Sequence, residues 1–255
     1  MWRPGLIIAR YTLLEALRSK LPWLFVLAGC AALALAGFLR QLALTESHAV
    51  QAALLAATLR IAAVFLLSSF VVTSLARETA DKGQELLLAL PMPRAVYLLG
   101  KLAGFGALAV MPAALFGLLT AVWAAPAQSA LWAISLLGEL WIMAAFSLLC
   151  AASLPHALPA LAAGGGFYLL ARSVGSLQLM AHGNTGGHGT VQQALAFAVD
   201  ALALLLPRLD HFTRTEWLLY ATGDWHGLGL VAAQTGIYVC LLALCALCDF
   251  YRRSF

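Results

Sequence analysis

Runs of about 18 or more apolar residues recur along this chain, and nothing constrains its fold more. A helix rises 1.5 Å per residue, so a run of that length crosses the ~30 Å hydrocarbon core of a bilayer. The runs are continuous rather than alternating, which excludes a transmembrane β-barrel. Composition agrees: 63% of residues are hydrophobic and 10% are charged, against roughly 25% charged in a soluble domain. The expected fold is an all-α integral membrane protein.

Six transmembrane helices are expected, at about 22–39, 52–76, 98–124, 129–152, 157–179 and 226–248. The stretch from Ala194 to Leu206 is apolar but too short to span, carries Asp200 and stops at Pro207. It suits a re-entrant or interfacial segment. With the N-terminus in the cytoplasm, Arg3, Arg10, Arg18, Lys20, Arg77, Lys82, Arg94, Lys101, Arg252 and Arg253 lie inside, and only Arg40, Arg208 and Arg214 lie outside. That asymmetry is what the positive-inside rule demands, and it places both termini in the cytoplasm. No cleavable signal is expected, because four basic residues precede the first apolar run and no short apolar region with a small-residue cleavage site follows.

Residues 5–21 form a separate element. Leu6, Leu13, Leu14, Leu17 and Leu21 share one helical face, with Thr12, Glu15 and Ser19 opposite, the pattern of an amphipathic helix on the inner leaflet. Arg10 falls inside the apolar arc and must snorkel or find a partner. The alternative is a cytosolic helix packed on another subunit. Residues 180–225 form a long external segment that opens with a glycine-rich loop holding His182 and His188. A histidine pair in a flexible loop is a weak metal signal, as are Cys245 and Cys248, which read as small buried hydrophobes of a packed helix.

Two features carry the functional argument. One is the charged segment 77–96 between the second and third spans. Arg77 to Lys82 extend a helix into the cytoplasm, Gly83 interrupts it, Glu85 to Leu90 form a short leucine-rich helix, and Pro91 and Pro93 end that helix. It reads either as a docking knob for a soluble partner or as an ordinary loop whose leucines fold back onto lipid. The other is a set of ionisable residues within spans, Arg60, Glu139 and Arg172. Each costs about 2.5–3.5 kcal/mol at mid-membrane and therefore needs a partner or a wet cavity. They lie roughly nine, ten and seven residues from the outer ends of their spans, which puts all three at similar depth. A single cluster is expected, with Glu139 between two arginines. It serves either to fix helix packing or to contact an anionic substrate or headgroup.

The pattern Arg77-Glu78-x5-Gln84-Glu85-Leu86-Leu87-Leu88-x-Leu90-Pro91-x-x-Arg94-x6-Lys101 resembles the loop between spans two and three of ABC-2 type permeases, the NosY-like branch included. These are the membrane subunits of ATP-binding-cassette exporters. Ala9-Arg10-Tyr11-x3-Glu15-Ala16-x-Arg18, Leu206-Pro207-x-Leu209-Asp210 and Asp249-Phe250-Tyr251-Arg252-Arg253-x-Phe255 resemble the same family. Gln84 departs from it, since many relatives place a small or branched residue there.

The resemblance implies a coupling helix seated in a cleft of a cytoplasmic ATPase subunit, with Glu78, Gly83, Glu85, Leu86, Leu87, Leu90, Pro91 and Arg94 on that side, joined by the turn at Pro155 and His156. It also implies a re-entrant external segment between spans five and six, a second permease copy (the same chain or a sister subunit), membrane lipid as surroundings, and a bacterial-type inner membrane. No nucleic acid partner follows from it. The chain has no G-x-x-x-x-G-K-[ST] motif, so ATP and Mg²⁺ are expected in the partner ATPase, with no cofactor or metal bound directly and no catalytic residue. Competing classes are an ion-coupled secondary transporter, for which Gly164-Gly165-Gly166 in span five is the only hint, and a membrane enzyme, for which no nucleophile–base constellation is visible.

Overall fold

The computed structural model describes residues 3–42, 47–81, 93–183 and 190–252. Its elements are α1 (Arg3–Arg18), α2 (Leu21–Leu42), α3 (Ser47–Ala80), α4 (Arg94–Thr120), α5 (Pro126–Ser153), α6 (Ala157–Gly183), α7 (Thr190–Leu205), a 3-10 turn (Leu209–His211), α8 (Thr215–Tyr220) and α9 (Trp225–Arg252). Six of them, α2 to α6 and α9, are long and apolar enough to cross a membrane. Among the described residues there is no strand. This is a multi-pass helical membrane protein.

The spans coincide with those expected, apart from their ends. The third stops at Thr120 rather than reaching 124. Pro126 is the reason: it opens α5 and holds Ala125 in extended backbone, so 121–125 must turn before the next helix starts. Pro155 likewise lies in the break between α5 and α6, and Pro159 sits in the first turn of α6. Gly164 to Gly166 lie within α6, which runs through them without interruption.

Helix α5 is the centre of the bundle, packed against α3, α4, α6, α8 and α9. Its buried face carries Trp132, Leu136, Leu140 and Ile142. Gly138 lets α9 approach: a Cβ there would come within 2.6 Å of Thr235 Oγ1. Lipid offers no hydrophobic gain for helix pairing, so such close backbone contacts carry much of the association.

The same rule explains α1. Gly5 faces Val96 and Gly100, while Ala9 and Thr12 face Gly104, so α1 climbs beside the first turns of α4 in the same direction. Added Cβ atoms at Gly100 or Gly104 would overlap the α1 backbone. The small face, with Thr12 and Ala16, is buried; of the leucine arc, Leu6 (74% exposed) and Leu17 point away from protein, while Leu13 packs against the core and Leu21 is buried in it. In a bilayer that orientation is favourable, because leucine is as well solvated by acyl chains as by another helix. The cysteines at 245 and 248, expected to be buried, are exposed on α9 for the same reason, and all five cysteines are free.

Candidate functional site

The end of the bundle where α5 starts is built around a chain that turns back into it. Helix α7 packs only lightly outside its neighbour α6 and ends at Leu205, ahead of Pro207. The chain then makes the 3-10 turn and leaves through α8. Depth can be read along α5. Gln128, near its start, accepts the Gly223 N–H at 3.1 Å, whereas Ser135 accepts the Thr213 N–H at 2.9 Å. Glu139 accepts the Thr213 hydroxyl at 2.7 Å. At 1.5 Å per residue these levels lie about 10 Å and about 16 Å below Gln128. Residues 206–214 are therefore the tip of a hairpin that reaches back along α5.

Irregular backbone packed among helices needs donors for its buried carbonyls, since each unsatisfied group costs several kcal/mol. The arginines supply them. Arg172 Nη1 donates to Leu209 O at 2.5 Å and Phe212 O at 3.0 Å, with Thr213 Oγ1 at 3.3 Å. Arg60 Nη1 donates to Thr213 O at 3.3 Å. Arg172 also faces Glu139 at 3.8 Å, with the Glu139 side chain fully buried. A guanidinium, with five N–H groups in a rigid fork, suits several carbonyls at once.

Arg60, Glu139 and Arg172 are thus brought together, but the pivot is a residue the sequence reading did not name. Thr213 uses its N–H, C=O and hydroxyl on Ser135, Arg60 and Glu139 in turn. It sits at φ 42°, left-handed backbone that a β-branched residue rarely adopts. Asp210 reaches α6 where Gly175 leaves room for its carboxylate. A positive φ on threonine leaves no mark in sequence; only Leu206-Pro207-x-Leu209-Asp210 pointed here. Thr213→Val, which loses the bond to Glu139, is expected to cost about 1–3 kcal/mol. Thr213→Asn should cost less, because asparagine tolerates this backbone and keeps a polar side chain. Thermal unfolding in detergent compares them, and a fully stable Val variant would show that the hydroxyl does not hold the tip.

The opposite end carries a second constellation. Glu78, in the last turns of α3, accepts from Tyr97 OH at 2.6 Å and forms an ion pair with Lys101, which is buried. Tyr97 stacks on Phe250 near the end of α9, with ring centroids 6.0 Å apart and 20° between planes. One turn deeper, Ser74 donates to Glu15 of α1 at 3.2 Å. Glu78 was expected to face a partner; its hydrogen bonds instead tie α3 to α4. A cavity of about 210 Å³ opens beside it, lined by Thr79, Ala80, Tyr97, Pro155, His156 and Phe250. Pro155 and His156 are exposed there, and Arg94 opens α4 on the same side. Gly83, Glu85, Leu86, Leu87, Leu90 and Pro91 lie outside the described residues.

Near the end of α6, His182 lies 3.4 Å from Asp200 of α7, and Gln178 donates to the same carboxylate at 3.1 Å. Among the described residues no group of three or more metal-ligating side chains gathers; His188 lies outside them.

Fold and site together define a multi-pass helical membrane protein with a hairpin held by two half-buried arginines at one end and a helix-tying Glu–Lys–Tyr group at the other. No protein-family model matches the chain, and no curated protein matches it.

Proposed function

We propose that this chain is the membrane-spanning permease subunit of an ATP-binding-cassette exporter of the ABC-2 type. One observation carries the reading. The segment whose sequence resembles the family's coupling loop leaves α3 at Asp81 and returns at Pro93, on the same end as the Pro155–His156 turn and the close of α9. Both arms of that segment are rooted in the Glu78–Lys101–Tyr97 group. A push on the segment would therefore be delivered to α3, α4 and α9 together.

In this reading the end bearing α1 and the charged segment faces the cytoplasm of a bacterial-type cell. A separate ATPase binds ATP and Mg²⁺ and docks on Gly83, Glu85, Leu86, Leu87, Leu90, Pro91 and Arg94, with Pro155 and His156 beside them. A second permease subunit, identical or a sister, completes the path. The re-entrant hairpin lies at the external end.

The test is a mild-detergent pull-down of the tagged protein with mass spectrometry of what is retained. Wild type is expected to hold an ATPase in stoichiometric amount, and Glu85→Arg/Leu87→Asp to lose it. A wild-type protein that retains no ATPase sinks the proposal and moves an ion-coupled carrier to the front.

A further inference from the structure

Between the hairpin and α6 lies a cavity of about 390 Å³ lined by Arg172, Asp210, Arg214, Thr215 and Glu216. Its size falls in the range of about 300–1,000 Å³ typical of small-molecule sites. Every lining residue is polar, and the set holds two cations and two acids. Different elements carry them. Arg172 stands on α6, Asp210 in the 3-10 turn, and Thr215 and Glu216 in the first turn of α8, with Arg214 just before it. Arg172 is held by the carbonyls of Leu209 and Phe212, and Asp210 lies against α6 where Gly175 leaves room.

These charges line one cavity without neutralising one another. Among the described residues no ion pair joins Arg172 or Arg214 to Asp210 or Glu216. All three hydrogen bonds of Arg172 leave from Nη1, so its Nε and Nη2 hydrogens are uncommitted among the described residues. Arg214 meets His211 Nδ1 at 2.6 Å through Nη2, which leaves its Nε and Nη1. On the acidic side, Asp210 Oδ2 lies 3.8 Å from His211, and Oδ1 accepts no hydrogen bond from any described residue. Glu216 is exposed. A lone anion here would meet both carboxylates, and a lone metal cation both guanidinium groups, so neither suits the set. A small molecule carrying both signs does. Two guanidinium forks match the several oxygens of a phosphate. Asp210, Glu216 and the Thr215 hydroxyl offer one acceptor to each of the three N–H groups of a primary ammonium.

We propose that this cavity binds a zwitterionic phosphoethanolamine group, its phosphate on Arg172 and Arg214 and its ammonium on Asp210, Thr215 and Glu216. The group can arrive as the headgroup of phosphatidylethanolamine or as a free ester, and the chemistry of recognition is the same for both. The charges are already fixed on separate elements, so little ordering cost opposes binding. A trimethylated amine has no N–H to give the acceptors, which sets phosphocholine apart from phosphoethanolamine. The site rests on the hairpin and α6 alone and stands whether or not an ATPase docks at the opposite end.

The experiment is isothermal titration of the delipidated full chain in neutral detergent with phosphoethanolamine, inorganic phosphate, ethanolamine and phosphocholine in turn. Phosphoethanolamine is expected to bind at one site, about tenfold or more tighter than each of the other three, the loss expected for one charge-assisted contact. Arg214→Gln and Glu216→Gln should each weaken it about tenfold. Both side chains are at least partly exposed, so thermal unfolding should stay at the wild-type temperature. Native mass spectrometry of the same chain separates the two sources. Retention of phosphatidylethanolamine over phosphatidylcholine with identical acyl chains assigns a lipid headgroup. Equal retention of the two lipids, with phosphoethanolamine still bound, assigns a free ester. Inorganic phosphate binding as tightly as phosphoethanolamine would reduce the cavity to an anion site and overturn the proposal. Wild-type binding in both variants overturns it equally, as does failure of both the ester and phosphatidylethanolamine to bind.

Discussion

Arg172→Leu is expected to lower stability on the order of 3–5 kcal/mol, the usual cost of removing one partner from a buried charge pair. Two effects combine. The carbonyls of Leu209 and Phe212 lose their donor, and the fully buried Glu139 loses its ion-pair partner. In neutral detergent this should appear as early thermal unfolding and loss of the monodisperse peak on size exclusion. Arg172→Lys should fall between, since an ammonium retains the charge but not the planar fork. The double variant Arg172→Leu/Glu139→Leu should recover part of the loss, because the fully buried carboxylate is then removed together with its partner. Should Arg172→Leu instead unfold at the wild-type temperature and fail only in transport, the arginine would belong to the path of an anionic substrate rather than to the brace.

The second large effect is expected at the other end. Glu78→Leu strands Lys101, whose side chain is 5% exposed, and leaves Tyr97 without its acceptor. A loss on the order of 3–5 kcal/mol follows. Glu78→Leu/Lys101→Met replaces the pair by apolar groups of similar shape, which is often close to neutral for stability. That double variant separates two roles. Restored stability together with a still-retained ATPase but no stimulated ATP turnover would mean that the pair transmits motion between α3 and α4. Restored stability with full turnover would mean that it only fastens them.

The spans and the depth of the ionisable residues were legible in the sequence for simple reasons. Apolar run length sets what can cross a bilayer, and a charge within such a run must find company. Arg60, Glu139 and Arg172 could be grouped by counting residues from the outer ends of their helices. What counting could not show is the nature of the company. Glu139 was expected to sit between two guanidinium groups, yet its hydrogen bond goes to Thr213, and both arginines spend their donors on main-chain carbonyls. Carbonyls are present at every residue and leave no signature. Glu78 shows the same limit: read as part of the charged helical tail of the second span, it is bonded by Lys101 and Tyr97, 23 and 19 residues away, which reach it from α4.

The sequence by itself determined that this is a membrane protein, how many helices are long and apolar enough to cross, that 194–206 is too short, and that the ionisable residues within spans must find partners. Each of these follows from lengths and solvation costs that act locally along the chain. Only the tertiary structure decided which face of α1 meets protein, how deep the hairpin tip reaches, and that Thr213 is its pivot. Those depend on where non-neighbouring helices come to rest. In lipid that is governed by close contact at small residues such as Gly100, Gly104 and Gly138 and by the need to satisfy every buried main-chain group, rather than by the burial of apolar surface.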